Sequence, residues 1–237
     1  MKNKFSFLDH FFIFKKLLVR VIVVFSVLFS VLFYNHQILY DFFSEPLLKG
    51  INLFGGEIIA TQLLSTFIVP MKLSFLSAFY VTFPYLITEL WFFIKPGLYE
   101  GEKSFAKKIF LISTVLIFTA FVFCFYVVFP EIINFFMSFA PDGLNLKIDI
   151  NFYLELLVNL IFAFTIAFQI PVIVIFLVKL KVLDISKIKK ARPYLYVFSF
   201  ILAAILTPPD VLSQIFLALP MILLFELGLI LSKVVSK

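Results

Sequence analysis

The sequence predicts an all-α membrane protein with six transmembrane helices and both termini in the cytoplasm. Three observations lead there. Hydrophobic residues make up 63% of the 237 and charged residues only 14%, with a mean hydropathy of +1.12; a soluble domain has about 45–50% apolar and about 25% charged residues. The apolar residues fall in long continuous runs, not in the alternating pattern of a membrane barrel. The basic residues segregate to one side of those runs. A soluble enzyme is excluded because such a chain could not cover its core with a polar surface, and a disordered chain is excluded by its wealth of apolar side chains. The whole chain reads as one polytopic domain.

A hydrocarbon layer about 30 Å thick needs roughly 20 apolar residues in helix. The runs that qualify are 17–39, 69–94, 109–130, 153–180, 193–206 and 211–231. The fourth is long enough to tilt. The fifth is short, and Thr207-Pro-Pro-Asp separates it from the sixth with almost no loop, so the last two form a tight, short hairpin that thins the local bilayer. With six spans, 17 of the 20 basic residues lie on the side of the termini, and Lys49, Lys72 and Lys147 lie on the other. The positive-inside rule then places both ends in the cytoplasm, and the net charge of +6 needs no nucleic acid to explain it. The outer segments Tyr40–Ile68 and Glu131–Asn151 carry the helix-start and turn signals Ser44-Glu-Pro-Leu and Ala140-Pro-Asp-Gly, and read as structured caps. Leu17–Phe33 follows basic residues, but no small-residue cleavage site follows it, so it reads as a retained helix.

Ionisable and amide groups at membrane depth are costly and mark function by default. Glu89 lies in span two, Glu155 near the outer start of span four, Gln169 near its middle, and Glu226 in span six. Gln169 precedes Pro171, whose ring removes a backbone donor, so its amide serves either the freed backbone or a partner helix. Asp210 reads as the helix N-cap of span six, and Glu226 as a group reaching for the inner interface. Pro84, Pro171 and Pro220 suggest bent helices. Cys124, the single cysteine, reads as packing; His10 and His36 lie outside the hydrophobic centres, so paired haem ligands are not available and no metal site is expected. On the inner side the loop Phe93-Ile-Lys-Pro-Gly-Leu-Tyr-Glu-Gly-Glu-Lys is distinctive. Pro96-Gly97 ends a helix, Leu98 and Tyr99 anchor the turn, and Glu100 and Glu102 are carboxylates among cations. They either balance Lys103, Lys107 and Lys108 or receive a cationic ligand, and arginine's planar fork suits a carboxylate.

These segments together resemble the TatC family, the multispanning subunit of the twin-arginine protein translocase. The resemblance runs in order through Asp9-His10 with Lys15-Lys16, Ser44-Glu-Pro-Leu with Pro46, the Phe93–Glu102 loop, Phe129-Pro130 and Ala140-Pro-Asp-Gly. It continues through Phe168-Gln-Ile-Pro, Ala191-Arg-Pro-Tyr with Arg192, Thr207-Pro-Pro-Asp-Val-Leu-Ser-Gln with Pro208 and Pro209, and Pro220 to Phe225-Glu-Leu-Gly. It implies an inner-membrane receptor for folded cargo bearing a signal peptide with two adjacent arginines. It also implies small single-span partners of the TatA and TatB types in an oligomeric complex, drive from the proton gradient, no cofactor, and no bond-making chemistry. Carried over by position, Glu102 is the arginine-binding glutamate, supported by Pro96, Leu98 and Tyr99, with Asp9 and His10 from the amino-terminal motif. Gln169, Thr207, Asp210 and Glu226 are polar positions for partner helices.

Two positions depart from the family pattern. Ile13 stands where a second arginine-binding glutamate is usual, which leaves Asp9 and Glu100 as the nearest substitutes. Gln169 stands where many relatives carry glutamate, and an amide cannot titrate, so a proton relay through this position is excluded. A small-molecule or ion transporter is the alternative reading, but no internal repeat is visible. An intramembrane enzyme would need a nucleophile and base, or metal ligands, at membrane depth.

Overall fold

The computed structural model describes residues 7–54, 56–59, 63–138, 146–179, 182–206 and 211–236. Thr207, Pro208, Pro209 and Asp210 therefore lie outside the described residues, as does Ala140-Pro-Asp-Gly; so do the side chains of Asp9, His10 and Glu102. The described elements are α1 (Phe7–Tyr34), α2 (His36–Phe54), β1 (Gly56–Ile59), α3 (Ser65–Ile94), α4 (Glu100–Phe123), α5 (Phe129–Ser138), β2 (Leu146–Asp149), α6 (Ile150–Lys179), α7 (Ile185–Lys190), α8 (Arg192–Leu206) and α9 (Val211–Ser236). Among the described residues five apolar stretches are long enough to cross a membrane: Phe12–Tyr34, Ser65–Gly97, Lys103–Ser138, Ile150–Lys179 and Gln214–Lys233. The sixth is the shorter α8, whose 15 residues rise only about 22 Å at 1.5 Å per residue. The last two spans are the shortest, as the sequence predicts.

Several boundaries move. The first span ends at Tyr34, not near residue 39, because Asn35 closes the helix: its backbone N–H and its side-chain amide both donate to the Val31 carbonyl, at 3.2 and 2.8 Å. The chain then turns into α2, so Ser44-Glu-Pro-Leu lies inside a helix already begun at His36 and does not start one. Pro46 lies inside that helix, and beside it the ladder is entered by a side chain from elsewhere. The Leu47 N–H donates to the Tyr153 hydroxyl at 3.1 Å, and that hydroxyl donates to the Phe43 carbonyl at 3.2 Å. Those two backbone groups are the i and i+4 partners of one helical bond, so Tyr153 of α6 is inserted into the ladder of α2. Tyr153→Phe is expected to lower thermal stability by about 1–3 kcal/mol by leaving both groups unsatisfied at a buried site, measured by thermal unfolding in detergent micelles.

The third span does not stop at Pro130. Between α4 and α5 the chain widens into one π-turn, Cys124–Val128, in which the Phe129 N–H donates to the Cys124 carbonyl. A proline cannot donate and crowds the preceding turn; a π-bulge relieves such a conflict, and the helix carries on to Ser138. Cys124 is buried in that turn. The two outer segments are structured caps, with α2, α5 and a parallel pairing of β1 with β2 in the register Gly56↔Leu146 to Ile59↔Asp149. Asp149 then caps α6 by accepting the Asn151 N–H at 2.9 Å.

The core lies where α3, α4, α6 and α9 meet. It is built from fully buried Leu73, Leu76, Ile117, Leu154, Leu157, Ile161, Phe164 and Leu217. Phenylalanine also builds the outer part of the core: Phe42 and Phe43 of α2 pack on Phe121 of α4 and Phe125 of the π-turn, with ring centroids 5.0–6.1 Å apart. α1 runs antiparallel to α3 with Phe14 against Phe93, Phe25 against Phe75 and Phe33 against Phe67, and leaves Val19, Ile22, Val27 and Val31 exposed for the bilayer. Gly228 of α9 sits against Pro171 of α6 so closely that a β-carbon there would lie 2.5 Å from the proline Cα.

Candidate functional site

At the amino-terminal end of the bundle, α3 finishes in a 3-10 turn over Lys95–Gly97, with Pro96 in its first positions. The Leu98 N–H donates to the Lys95 carbonyl at 3.3 Å, and Leu98 is extended, which turns the chain into α4 at Glu100. Gly97 does not adopt a left-handed backbone, and a β-carbon there meets nothing within 4 Å. Pro96 and Tyr99 are exposed and Leu98 is half-buried.

Glu100 and Glu102 are the first and third residues of α4. Carboxylates in a first turn face the unsatisfied N–H groups of the helix start, where negative charge is stabilised. Glu100 is bonded by Lys103 one turn on, and that ammonium holds its carboxyl below the usual carboxylate range. Glu100 thus follows the charge-balancing reading. The amino-terminal part of α1, which carries Asp9 and His10, is held beside this turn by Phe14, whose ring lies 5.6 Å from that of Phe93. The two segments named for arginine binding are therefore neighbours, although Asp9-His10 and Glu100–Glu102 are far apart in the chain.

The intramembrane groups do not form one polar cluster; each finds its own partner. Gln169, half-buried, accepts from the Ser113 hydroxyl at 2.6 Å and donates to the Ser113 carbonyl at 3.3 Å, so its amide clasps α4 to α6 and does not serve the backbone of its own helix. Glu226 accepts from Arg192 and from the Tyr196 hydroxyl, both at 2.5 Å, which joins α8 to α9. Glu89 is bonded by Arg20 at 3.1 Å and by the Tyr85 hydroxyl at 2.9 Å, and Glu155 by Lys72 at 2.5 Å. In the centre Tyr80 and Thr165 share a hydrogen bond between α3 and α6. Pro84 lies within α3 and Pro171 within α6, and neither ends its helix.

Sequence reasoning found the acids but not these pairings. Matching each acid to a base at the same depth of an adjacent span would have proposed Arg20 for Glu89 and Lys72 for Glu155. No signal pointed to Tyr153. Among the described residues no group of three or more histidine, cysteine or carboxylate side chains is placed to hold a metal ion.

The bundle is that of an all-α, multi-pass membrane protein whose polar groups tie helices together and whose charged loops cluster at its ends. The chain belongs to the TatC family: the family model for the Sec-independent protein translocase protein TatC matches residues 9–220. It is similar to the Sec-independent protein translocase protein TatC of Rickettsia prowazekii, 39% identical over 95% of this chain and 92% of that protein. To that of Azotobacter chroococcum it is 37% identical, over 89% and 82%, and to that of Escherichia coli 34%, over 95% and 87%. A solved structure described as the twin arginine translocase receptor TatC superposes with a TM-score of 0.84 at 25% identity, covering 96% of this chain and all of that one.

Proposed function

We propose that this chain is the signal-peptide receptor of a Sec-independent translocase in a bacterial inner membrane, with both termini in the cytoplasm. It would recognise the paired arginines of folded cargo with the first turn of α4. It would work without a cofactor or any bond-making step, in an oligomeric complex with TatA-type and TatB-type single-span proteins, driven by the proton gradient. The observation that carries this reading is the acidic start of α4, Glu100 and Glu102, set beside the beginning of α1 by the Phe14–Phe93 contact. Of the two carboxylates, Glu102 is the primary arginine acceptor, because Glu100 is already bonded to Lys103. Asp9 and His10 contribute from the amino-terminal motif, and Pro96, Leu98 and Tyr99 fix the turn. Thr207 and Asp210 mark where partner helices dock, Gln169 and Glu226, whose side chains are engaged within the bundle, hold the helix faces presented there, and Pro46, Pro84, Pro171, Arg192, Pro208 and Pro209 shape the scaffold.

The test is photo-crosslinking of a signal peptide to probes placed around residue 102, with the arginine pair intact or changed to lysines. Crosslinks confined to the intact pair, and weakened about tenfold or more by Glu102→Gln, are expected from loss of a charge-assisted hydrogen bond. Equal labelling by both peptides, or labelling indifferent to Glu102→Gln, overturns the reading.

A further inference from the structure

At the same end of the bundle as the α4 turn, but between α6, α7, α8 and α9, lies a cavity of about 440 Å³. It is lined by nine apolar side chains and a single charged one, Lys187. Ile170, Ile173, Val174 and Leu177 line it along two turns of α6, about 10 Å of helix at 1.5 Å per residue. Leu195 of α8 and Phe225 of α9 form the opposite wall, and α7 closes one end with Lys187 and Ile188. Ile173 is about half exposed, so the cavity opens sideways toward lipid.

α7 is only six residues long, and three of them are lysines. Ile188 is buried and fixes the helix on the bundle. Lys187 and Lys190, three apart, are neighbours on one face, and Lys189 extends the positive charge. Lys187 faces Asp184 at 3.9 Å with both side chains largely exposed, a pairing of little energy that a better anion displaces. Lys189 and Lys190 are exposed, with no ion pair among the described residues. The place thus has an apolar slot running along the helices and, at the end that α7 covers, one lining cation, Lys187, with Lys189 and Lys190 on the same six-residue helix.

We propose that this cavity seats an anionic phospholipid, with one acyl chain along α6 and the headgroup phosphate held by Lys187 and Lys190. The charge pattern selects the occupant. A basic mouth on an interhelical pocket is the chemistry that binds anionic headgroups, and a slot so uniformly apolar suits a hydrocarbon chain. A transmembrane helix is about 10–12 Å across with its side chains and does not fit a slot closed by α7. The inference is independent of the signal-peptide reading, since it uses neither the α4 turn nor α1. It also explains the short basic α7, because an anionic lipid bridging α6 and α7 would hold the α8–α9 pair against the central helix.

Native mass spectrometry of the full chain in detergent tests this, with phosphatidylglycerol, phosphatidylcholine of the same acyl chains, and glycerol phosphate added separately. Phosphatidylglycerol is expected to stay bound in preference to phosphatidylcholine, and glycerol phosphate to be lost. Lys187→Gln and Lys190→Gln should each weaken retention about fivefold, whereas the same charge loss on α4, Lys107→Gln with Lys108→Gln, leaves it unchanged. Ala191→Phe, which fills the slot, should abolish it. Equal retention of the two lipids overturns the proposal, as does an equal effect of the α4 substitutions. Retention of glycerol phosphate alone would mean a free-phosphate site. Crosslinking of an added single-span helix at Ile173 that excess phosphatidylglycerol fails to displace would mean a protein partner. Either result also overturns the proposal. The comparison of lipids on the unaltered chain needs no variant, so a folding defect cannot mask the answer.

Discussion

Gly228→Ala is expected to lower the thermal stability of the detergent-solubilised protein by about 1–3 kcal/mol, the range found when one methyl group is forced into a packed site. The new β-carbon would stand 2.5 Å from the Cα of Pro171 and 3.1 Å from its Cβ. The nearer atom belongs to the backbone, so no rotamer change relieves the contact, and α9 must move away from α6. Close approach of this kind is how small residues let membrane helices pack, because between helices in lipid the attraction comes from contact and not from water. α6 is the most enclosed of the spans, so the displacement would be felt across the core. Gly101→Ala is the control. A β-carbon there meets nothing within 4 Å, and the change should be neutral or slightly stabilising. Unfolding followed by circular dichroism decides: equal midpoints for both variants would show that α9 can shift freely.

Glu226→Ala is expected to cost about 2 kcal/mol, between the value of an exposed ion pair and that of a fully buried one. The Arg192 and Glu226 side chains are 36% and 26% exposed. Removing the carboxylate strips Arg192 of its charge partner and Tyr196 of its acceptor. Arg192 is poorly placed to compensate, since its Nε is buried with no hydrogen-bond partner. The penalty therefore comes mainly from what is left behind, and Arg192→Ala combined with Glu226→Ala should cost clearly less than the two single changes added together. Strict additivity in a thermal-unfolding cycle would show that the two groups do not interact. Because α8 is too short to be secured by length alone, this junction is where the α8–α9 hairpin is held at the amino-terminal end.

Much of the architecture was legible because the bilayer imposes a simple rule. Backbone polar groups must be satisfied within helices, so long apolar runs become spans and their number can be counted. The resemblance to the family was also legible, in short motifs strung along the chain. Boundaries were less so wherever a local exception intervened: Asn35 ends the first helix at a polar break that the run 17–39 passes over, a π-turn carries a helix past Pro130, and Tyr153 enters the ladder of α2 beside Pro46. The last two depend on backbone geometry or on a side chain more than 100 residues away, and nothing in the local pattern announces them. The acidic α4 turn was legible from composition, but the division of labour within it was not: the Glu100–Lys103 pairing needs coordinates.

Hydrophobicity, length and local motif were enough to give the class of protein, the six spans, the segregation of positive charge and the family. What each polar group within the spans is for became clear in the folded bundle. Glu89, Glu155, Gln169 and Glu226 stood as lone groups in the sequence and became four separate ties between helices in the fold. The reason is physical: a group in a low-dielectric interior is defined by its partner, and the partners lie on other helices brought alongside only when the bundle closes.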